Sequence, residues 1–348
     1  MDWLLTPGPV RLHPKALEAL ARPQLHHRTE AAREVFLKAR GLLRQAFRTE
    51  GEVLILTGSG TLAMEALVKN LFAPGERVLV PVYGKFYEIA LEAGLVVERL
   101  DFPYGDTPRP EDVAKEGYAG LLLVHSETST GALADLPALA RAFKEKNPEG
   151  LVGADMVTSL LVGEVALEAM GVDAAASGSQ KGLMCPPGLG FVALSPRALE
   201  RLKPRGYYLD LARELKAQKE GESAWTPAIN LVRAVAAVLE AVLPRLEEHL
   251  ALKAWQTALL HGVGEEGGLR AVPKRFSPAV AAFYLPEGVP YARVKEAFAR
   301  RGAVIAGGQG PLKGKVFRLS LMGAYDRYEA LGVAAMFREV LEEILPAS

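Results

Sequence analysis

The chain has 348 residues, 49% of them hydrophobic, with 41 basic and 41 acidic side chains. That length and apolar content support a large core divided among two or three structural units, and the balanced charge excludes a global field that would draw the chain onto nucleic acid or an anionic membrane. One cysteine, Cys185, excludes an internal disulfide, the opening segment lacks the basic–apolar–small pattern of an export signal, and no apolar run reaches the roughly 20 residues of a bilayer span, so the chain reads as cytoplasmic with small charged metabolites as partners.

In chain order, short apolar runs predict strands at 53–56, 78–82, 96–100, 121–125, 151–154, 174–177 and 191–194. Helical patterns lie between them, at 61–72 and 136–146 for example. Continuous apolar strands alternating with helices argue for an α/β fold with a mostly parallel sheet covered on both faces. Ligands of such a sheet sit at the carboxyl ends of its strands. From 227 to 252 the pattern predicts one long connecting helix, apolar at helical spacing from Ile229 onward. Beyond it, 280–285, 291–301, 304–306, 316–321 and 328–345 read as strand, helix, strand, strand and helix, a smaller α+β unit. The glycine-rich 262–268 stretch reads as a turn. The chain therefore divides into an N-terminal segment at 1–15, a large unit at 16–250 and a small unit at 251–348.

Three strand ends carry candidate chemistry. After the first strand comes Gly58-Ser59-Gly60-Thr61 at a helix start, where backbone N–H groups and hydroxyls form an anion site that glycine leaves open. The same residues satisfy a dinucleotide fingerprint, but the next strand ends Val80-Pro81-Val82-Tyr83, without the acid that holds a ribose. Read alone, the segment is also an ordinary Ser or Thr helix cap. Asp155 stands immediately after the 151–154 strand, where a carboxylate can face a ring nitrogen; alone it is also a common turn residue. Lys181 follows the 174–177 strand among small residues and beside Pro186-Pro187-Gly188, a place where an amine can be desolvated and nucleophilic toward an aldehyde. The combination at one sheet edge outweighs each part.

These residues, with Thr6-Pro7-Gly8-Pro9, His27-Arg28, Glu127-Thr128-Ser129-Thr130-Gly131, Ser177-Gly178-Ser179-Gln180-Lys181, Thr226-Pro227 and Phe317-Arg318-Leu319-Ser320-Leu321-Met322-Gly323, make a chain that resembles the class V aminotransferases of pyridoxal 5′-phosphate (PLP) fold type I. The resemblance is to the alanine–glyoxylate and serine–glyoxylate branch, which includes microbial aspartate aminotransferases, and it covers nearly the whole chain. It implies a large PLP-binding domain around a seven-stranded sheet and a small C-terminal domain. Lys181 is then the Schiff-base lysine and proton shuttle, and Asp155 the partner of the ring nitrogen. Ser59, Gly60, Thr61 and Gln180 hold the phosphate. Thr128 stands near the phenolic oxygen, where Ser is more usual. Phe86, in a Gly-x-aromatic pattern, stacks on the cofactor, with Tyr83 and Tyr87 as alternatives. Arg318 grips the substrate α-carboxylate, and Gly8 lines the same pocket. A homodimer is implied in which Thr226 serves the partner's phosphate site. No metal is implied.

The expected reaction moves an amino group from aspartate, alanine or serine to 2-oxoglutarate, pyruvate or glyoxylate. A dicarboxylate donor needs a second cation, for which Arg28 is the visible candidate; a structural ion pair is its other reading. His26, His27 and His125 read as scaffold. A desulfurase would need a cysteine on a flexible loop, whereas Cys185 lies in a Pro-rich turn. A non-catalytic regulatory relative would usually have lost Lys181, Asp155 or Arg318. An interaction role like that of the relatives once associated with a soluble hydrogenase finds no metal or iron–sulfur motif here.

Overall fold

The computed structural model describes residues 3–345. A short strand β1 (Trp3–Leu4) and helices α1 (Pro14–Leu20) and α2 (Glu30–Phe47) come first. Seven strands then build one sheet: β2 (Glu52–Thr57), β3 (Arg77–Pro81), β4 (Val96–Leu100), β5 (Gly120–Val124), β6 (Leu151–Asp155), β7 (Ala174–Gly178) and β8 (Leu189–Leu194). Their spatial order is β2-β8-β7-β6-β5-β3-β4, and only β8 runs against its neighbours. The mostly parallel seven-stranded sheet expected from the sequence is present.

Alternation along the strands explains the two covering layers. Val53 and Ile55 face one apolar cluster with Phe36 and Leu43 of α2, while Leu54 and Leu56 face another with α3 (Gly60–Leu71) and α4 (Phe86–Glu92). Helices α5 (Pro110–Val113), α6 (Leu136–Lys146), α7 (Pro196–Arg201), α8 (Leu211–Lys219) and α9 (Ile229–Val242) complete the layers. Among the described residues no helix is long and apolar enough to cross a membrane.

The C-terminal unit contains α10 (Leu246–Glu266), β9 (Ala281–Tyr284), α11 (Tyr291–Arg300), β10 (Ala303–Val304), β11 (Ala306–Gly307), β12 (Val316–Leu319) and α12 (Arg327–Ile344). Strands β11, β12 and β9 form an antiparallel sheet over a phenylalanine-rich core of Phe283, Phe298, Phe317 and Phe337. Leu5 belongs to that core, and β1 pairs in parallel with β10. The 3–5 segment is thus pinned to the C-terminal unit before the chain crosses to the large sheet, where His13 N donates to Met184 O at 2.9 Å.

Three expectations need correction. The 227–252 helix is broken: α9 ends at Val242, and a 3-10 turn holding Pro244 separates it from α10, because proline cannot donate to the helical ladder. The 262–268 stretch is helical as far as Glu266. Gly264 sits inside α10 because a Cβ there would lie 2.3 Å from the Phe283 ring, so glycine lets helix and strand close up. The 304–306 strand is two pieces, one pairing with β1 and the other with β12.

These two helical glycines predict opposite responses. Nothing lies within 4 Å of a Cβ at Gly262, so Gly262→Ala raises stability by about 0.5–1 kcal/mol. Gly264→Ala overpacks the Phe283 contact and lowers it by about 1–3 kcal/mol. Urea midpoints of the two variants check this; equal shifts would contradict the packing account.

Candidate active site

The turns that follow β2, β3, β5, β6 and β7 surround a cleft of about 500 Å³, closed on one side by Phe102–Asp106 and on another by Gln309–Leu312 of the C-terminal unit. This is the carboxyl edge of the parallel sheet, where open α/β sheets bind ligands.

At one corner, α3 begins at Gly60 with Ser59 as its N-cap, and its first turn carries no acidic residue. The free N–H groups of that turn favour an anion. Gly60 is required there, since a Cβ would lie 2.7 Å from Val157 Cγ2. Thr61 and Gln180 line the same corner. The Gln180 side-chain oxygen is buried without a hydrogen-bond partner, the state expected of a polar group that awaits a ligand.

In the floor, Asp155 ends β6 and its Oδ1 accepts from Val157 N at 2.9 Å. Burial pushes its carboxyl up to about 6, against the opposing pull of the Val157 N–H and Lys181. Beside it the Thr128 and Thr158 hydroxyls meet at 2.6 Å.

Lys181 projects from the turn after β7. Ser179 Oγ secures that turn by donating to Pro186 O at 2.6 Å and accepting from Leu189 N at 3.2 Å. Gly182 allows the turn to pass 2.2 Å, by its absent Cβ, from Leu160 O. Lys181 Nζ donates to Pro7 O, and Gly8, at φ +134°, touches the lysine so closely that a Cβ would meet its Cε at 2.5 Å. Burial, then the neighbouring Arg318, lowers the amine to about 8.

Arg318, on β12, is 3% exposed. Its Nε and Nη2 donate to Gly307 O at 3.0 and 2.7 Å, and its Nη1 to Thr128 O at 2.9 Å. A buried guanidinium held by neutral carbonyls is an incompletely compensated cation, and a carboxylate fits its fork.

The structure therefore gathers Ser59, Gly60, Thr61, Thr128, Asp155 and Gln180 around the cleft; Lys181 follows Gln180 and packs against Gly8, and Arg318 bonds to Thr128 O, so these three stand behind lining residues and do not line the cleft themselves. Three residues are elsewhere. Phe86 is fully buried at the start of α4, packed in the apolar layer against α3, and does not line the cleft. A phenyl ring has no polar tip to keep it at the surface, so burial wins. Tyr83 lines the cleft instead, its hydroxyl tucked into the wall without a partner. Arg28 and Thr226 are exposed and lie outside this chain's cleft. Burial pushes the Cys185 thiol up to about 12, which leaves no thiolate for sulfur transfer. Besides Thr128, Glu127, Ser129 and Thr130 of the 127–131 run also line the cleft, which the sequence pattern did not single out. An anion corner and a desolvated carboxyl on one cavity, with a depressed amine on the residue after Gln180, can together hold an aldehyde that carries an anionic group.

The model of the family described as Aminotransferase class-V matches residues 15–310. A solved structure described as an aspartate aminotransferase of subgroup IV, from Thermus thermophilus, is 96% identical, with a TM-score of 0.98 over 99% of this chain and 100% of that one. The alanine–glyoxylate aminotransferase of Nostoc is 30% identical, with a TM-score of 0.90 over 98% and 95% of the two chains. The soluble hydrogenase 42 kDa subunit of Anabaena cylindrica is 35% identical over 98% of this chain and 93% of its own.

The depressed amine gives a pH prediction for the ligand-free chain. Only the unprotonated amine reacts, so reductive methylation of Lys181, read by peptide mass, reaches half its limit near pH 8. Exposed lysines reach theirs near about 10.4. Arg318→Gln removes a neighbouring positive charge and moves the Lys181 midpoint upward. A midpoint shared with exposed lysines would contradict the burial argument.

Proposed function

Because the chain belongs to the class V aminotransferases, PLP-dependent enzymes, we propose that it moves the amino group of L-aspartate to a small 2-oxo acid such as 2-oxoglutarate, pyruvate or glyoxylate. The observation that carries this reading is the juxtaposition of Lys181, Asp155 and the α3 anion corner with Arg318, a buried cation whose hydrogen bonds go to neutral carbonyls. Aspartate as donor is supported by the 96% identical Thermus thermophilus protein.

The residues present fit PLP: an anion corner for the phosphate, a carboxyl for the ring nitrogen, an amine for the aldehyde and an orphaned amide at Gln180. When bound, the cofactor supplies an aldehyde that takes up amino groups and a ring that accepts the electrons left when an α-proton departs. Ser59, Gly60, Thr61 and Gln180 hold the phosphate. Asp155 would hold a proton on the ring nitrogen; opposite a cationic nitrogen its carboxyl would ionise, against the burial that raises it when alone. Thr128 Oγ, shared with Thr158 at 2.6 Å, is available to the phenolic oxygen, and Tyr83 offers the aromatic wall.

Lys181 Nζ would hold the cofactor's aldehyde, and as a free amine it would take the proton from the donor's α-carbon. An amine near 8 is partly unprotonated at neutral pH, which this task requires. The Arg318 fork grips the α-carboxylate in a bidentate pair and so fixes which face of the α-carbon Lys181 meets. The Pro7–Gly8 strap against Lys181 keeps water from the amine.

Arg28 and Thr226 fit this scheme through a homodimer. Both are exposed and stand away from their own chain's cleft. In that arrangement Thr226 serves the partner's phosphate corner and Arg28 the distal carboxylate of aspartate.

Two experiments test the proposal. Borohydride reduction of the PLP-loaded protein, followed by peptide mapping, puts the added cofactor mass on Lys181; mass on any other lysine sinks the assignment. Arg28→Ala raises KM for L-aspartate by about 10- to 100-fold and for L-alanine by less than about twofold. Equal effects on both donors would remove Arg28 from the specificity account.

A further inference from the structure

Two acidic side chains of the cleft wall have no role so far. Asp106, at the rim, is engaged by Lys274 Nζ at 2.5 Å. Glu127 is different. It is 9% exposed, and its carboxylate is turned inward on its own turn: Oε1 accepts from Ser129 N at 3.0 Å, and Oε2 from Thr130 N at 2.7 Å and Thr130 Oγ at 2.8 Å. The backbone closes the same turn, with Gly131 N donating to Glu127 O and Glu127 N to Ala132 O, both at 2.9 Å. Ser277 N donates to Gly131 O at 2.8 Å, which fastens the turn to the segment leading into β9. A Cβ on Gly131 would lie 2.6 Å from Val280 O, so the two segments are in direct contact.

Thr128 stands inside this turn. Its hydroxyl meets Thr158, and its carbonyl is the large unit's hold on the Arg318 guanidinium, at 2.9 Å from Nη1. The other two bonds of that guanidinium go to Gly307 of the C-terminal unit. The direction of the fork across the gap between units therefore depends on where the Thr128 carbonyl points, and that is set by a turn whose amides are tied to the Glu127 carboxylate.

We infer that Glu127 is a positioning residue, whose carboxylate locks the 127–131 turn so that the Thr128 carbonyl aims Arg318 at the substrate carboxylate. The inference rests on the reading of Arg318 as the carboxylate clamp. A purely electrostatic role would have the opposite signature. A negative charge near Arg318 repels an incoming carboxylate, so its removal would tighten anion binding. A positioning role predicts weaker binding when the turn loosens, although a repulsive charge has gone.

Succinate, which has two carboxylates and no amino group to react, is the probe, titrated calorimetrically into the PLP-loaded enzyme. Glu127→Ala weakens succinate binding about tenfold, because three hydrogen bonds of the turn are lost. Glu127→Gln, which keeps one acceptor oxygen, weakens it by no more than about threefold. In an Arg318→Gln background Glu127→Ala changes succinate affinity by less than about twofold, since the effect passes through Arg318. Thr130→Val removes one donor without altering charge and weakens binding by about two- to threefold, which keeps the inference testable if Glu127→Ala does not fold. Tighter binding in both Glu127 variants, or a lowered melting temperature with unchanged affinity, overturns the inference while the clamp stands. An Arg318→Gln enzyme that binds succinate like the parent sinks the clamp and the inference with it.

Discussion

Parallel strands that end at one edge bring together residues that are far apart in the chain. Ser59, Tyr83, Glu127 and Gln180 belong to turns after four different strands and Asp155 ends a fifth, yet all face one cleft. Each turn inherits its position from strands buried on both faces, so no single loop decides the geometry. The chemistry depends on that shared edge, and the two remaining functional groups come to it from either side. Lys181 leaves the edge after β7, held by Ser179 and by the space at Gly182. Arg318 approaches from the C-terminal unit and is tied to the edge through the Thr128 carbonyl.

Burial then does the electrostatic tuning. In water the Asp155 carboxyl and the Lys181 amine would both be ionised at neutral pH. Withdrawn from water, the acid rises and the amine falls, so both come closer to neutral pH. Arg318 cannot lose its proton in that range, and its bonds to Gly307 and Thr128 leave one N–H free on each terminal nitrogen without cancelling its charge. A permanent cation and an adjustable amine thus stand beside the cleft, which is what the proposed amino transfer requires of them. Cys185, which burial holds as a thiol, has no part in that arrangement.

Much of this was legible in the sequence because parallel strands read as unbroken apolar runs, and ligand-binding residues come directly after them. The strand-end placements of Ser59, Asp155, Gln180 and Lys181 needed only that rule. What escaped depends on contacts distant in sequence. Strand β1 is two residues long and exists only because β10 pairs with it. The 304–306 run was read as one strand, but its halves choose different partners. Gly264 reads as a turn residue until Phe283 is seen against it. Phe86 and Tyr83 are three positions apart, and which ring faces the cleft is decided by where α4 begins. Glu127 acts through backbone amides, for which side-chain patterns carry no sign.

An amino-transfer half-reaction on aspartate, with Lys181 as the base, has a stoichiometric signature. The direct measurement is a single-turnover assay of the PLP-loaded protein with L-aspartate and no 2-oxo acid acceptor, beside the Lys181→Arg variant. The account predicts release of about one equivalent of the 2-oxo acid of aspartate per subunit, with retention of its amino group on the enzyme, and none from the variant. Continued release far beyond one equivalent without an acceptor, or equal release from Lys181→Arg, would contradict it.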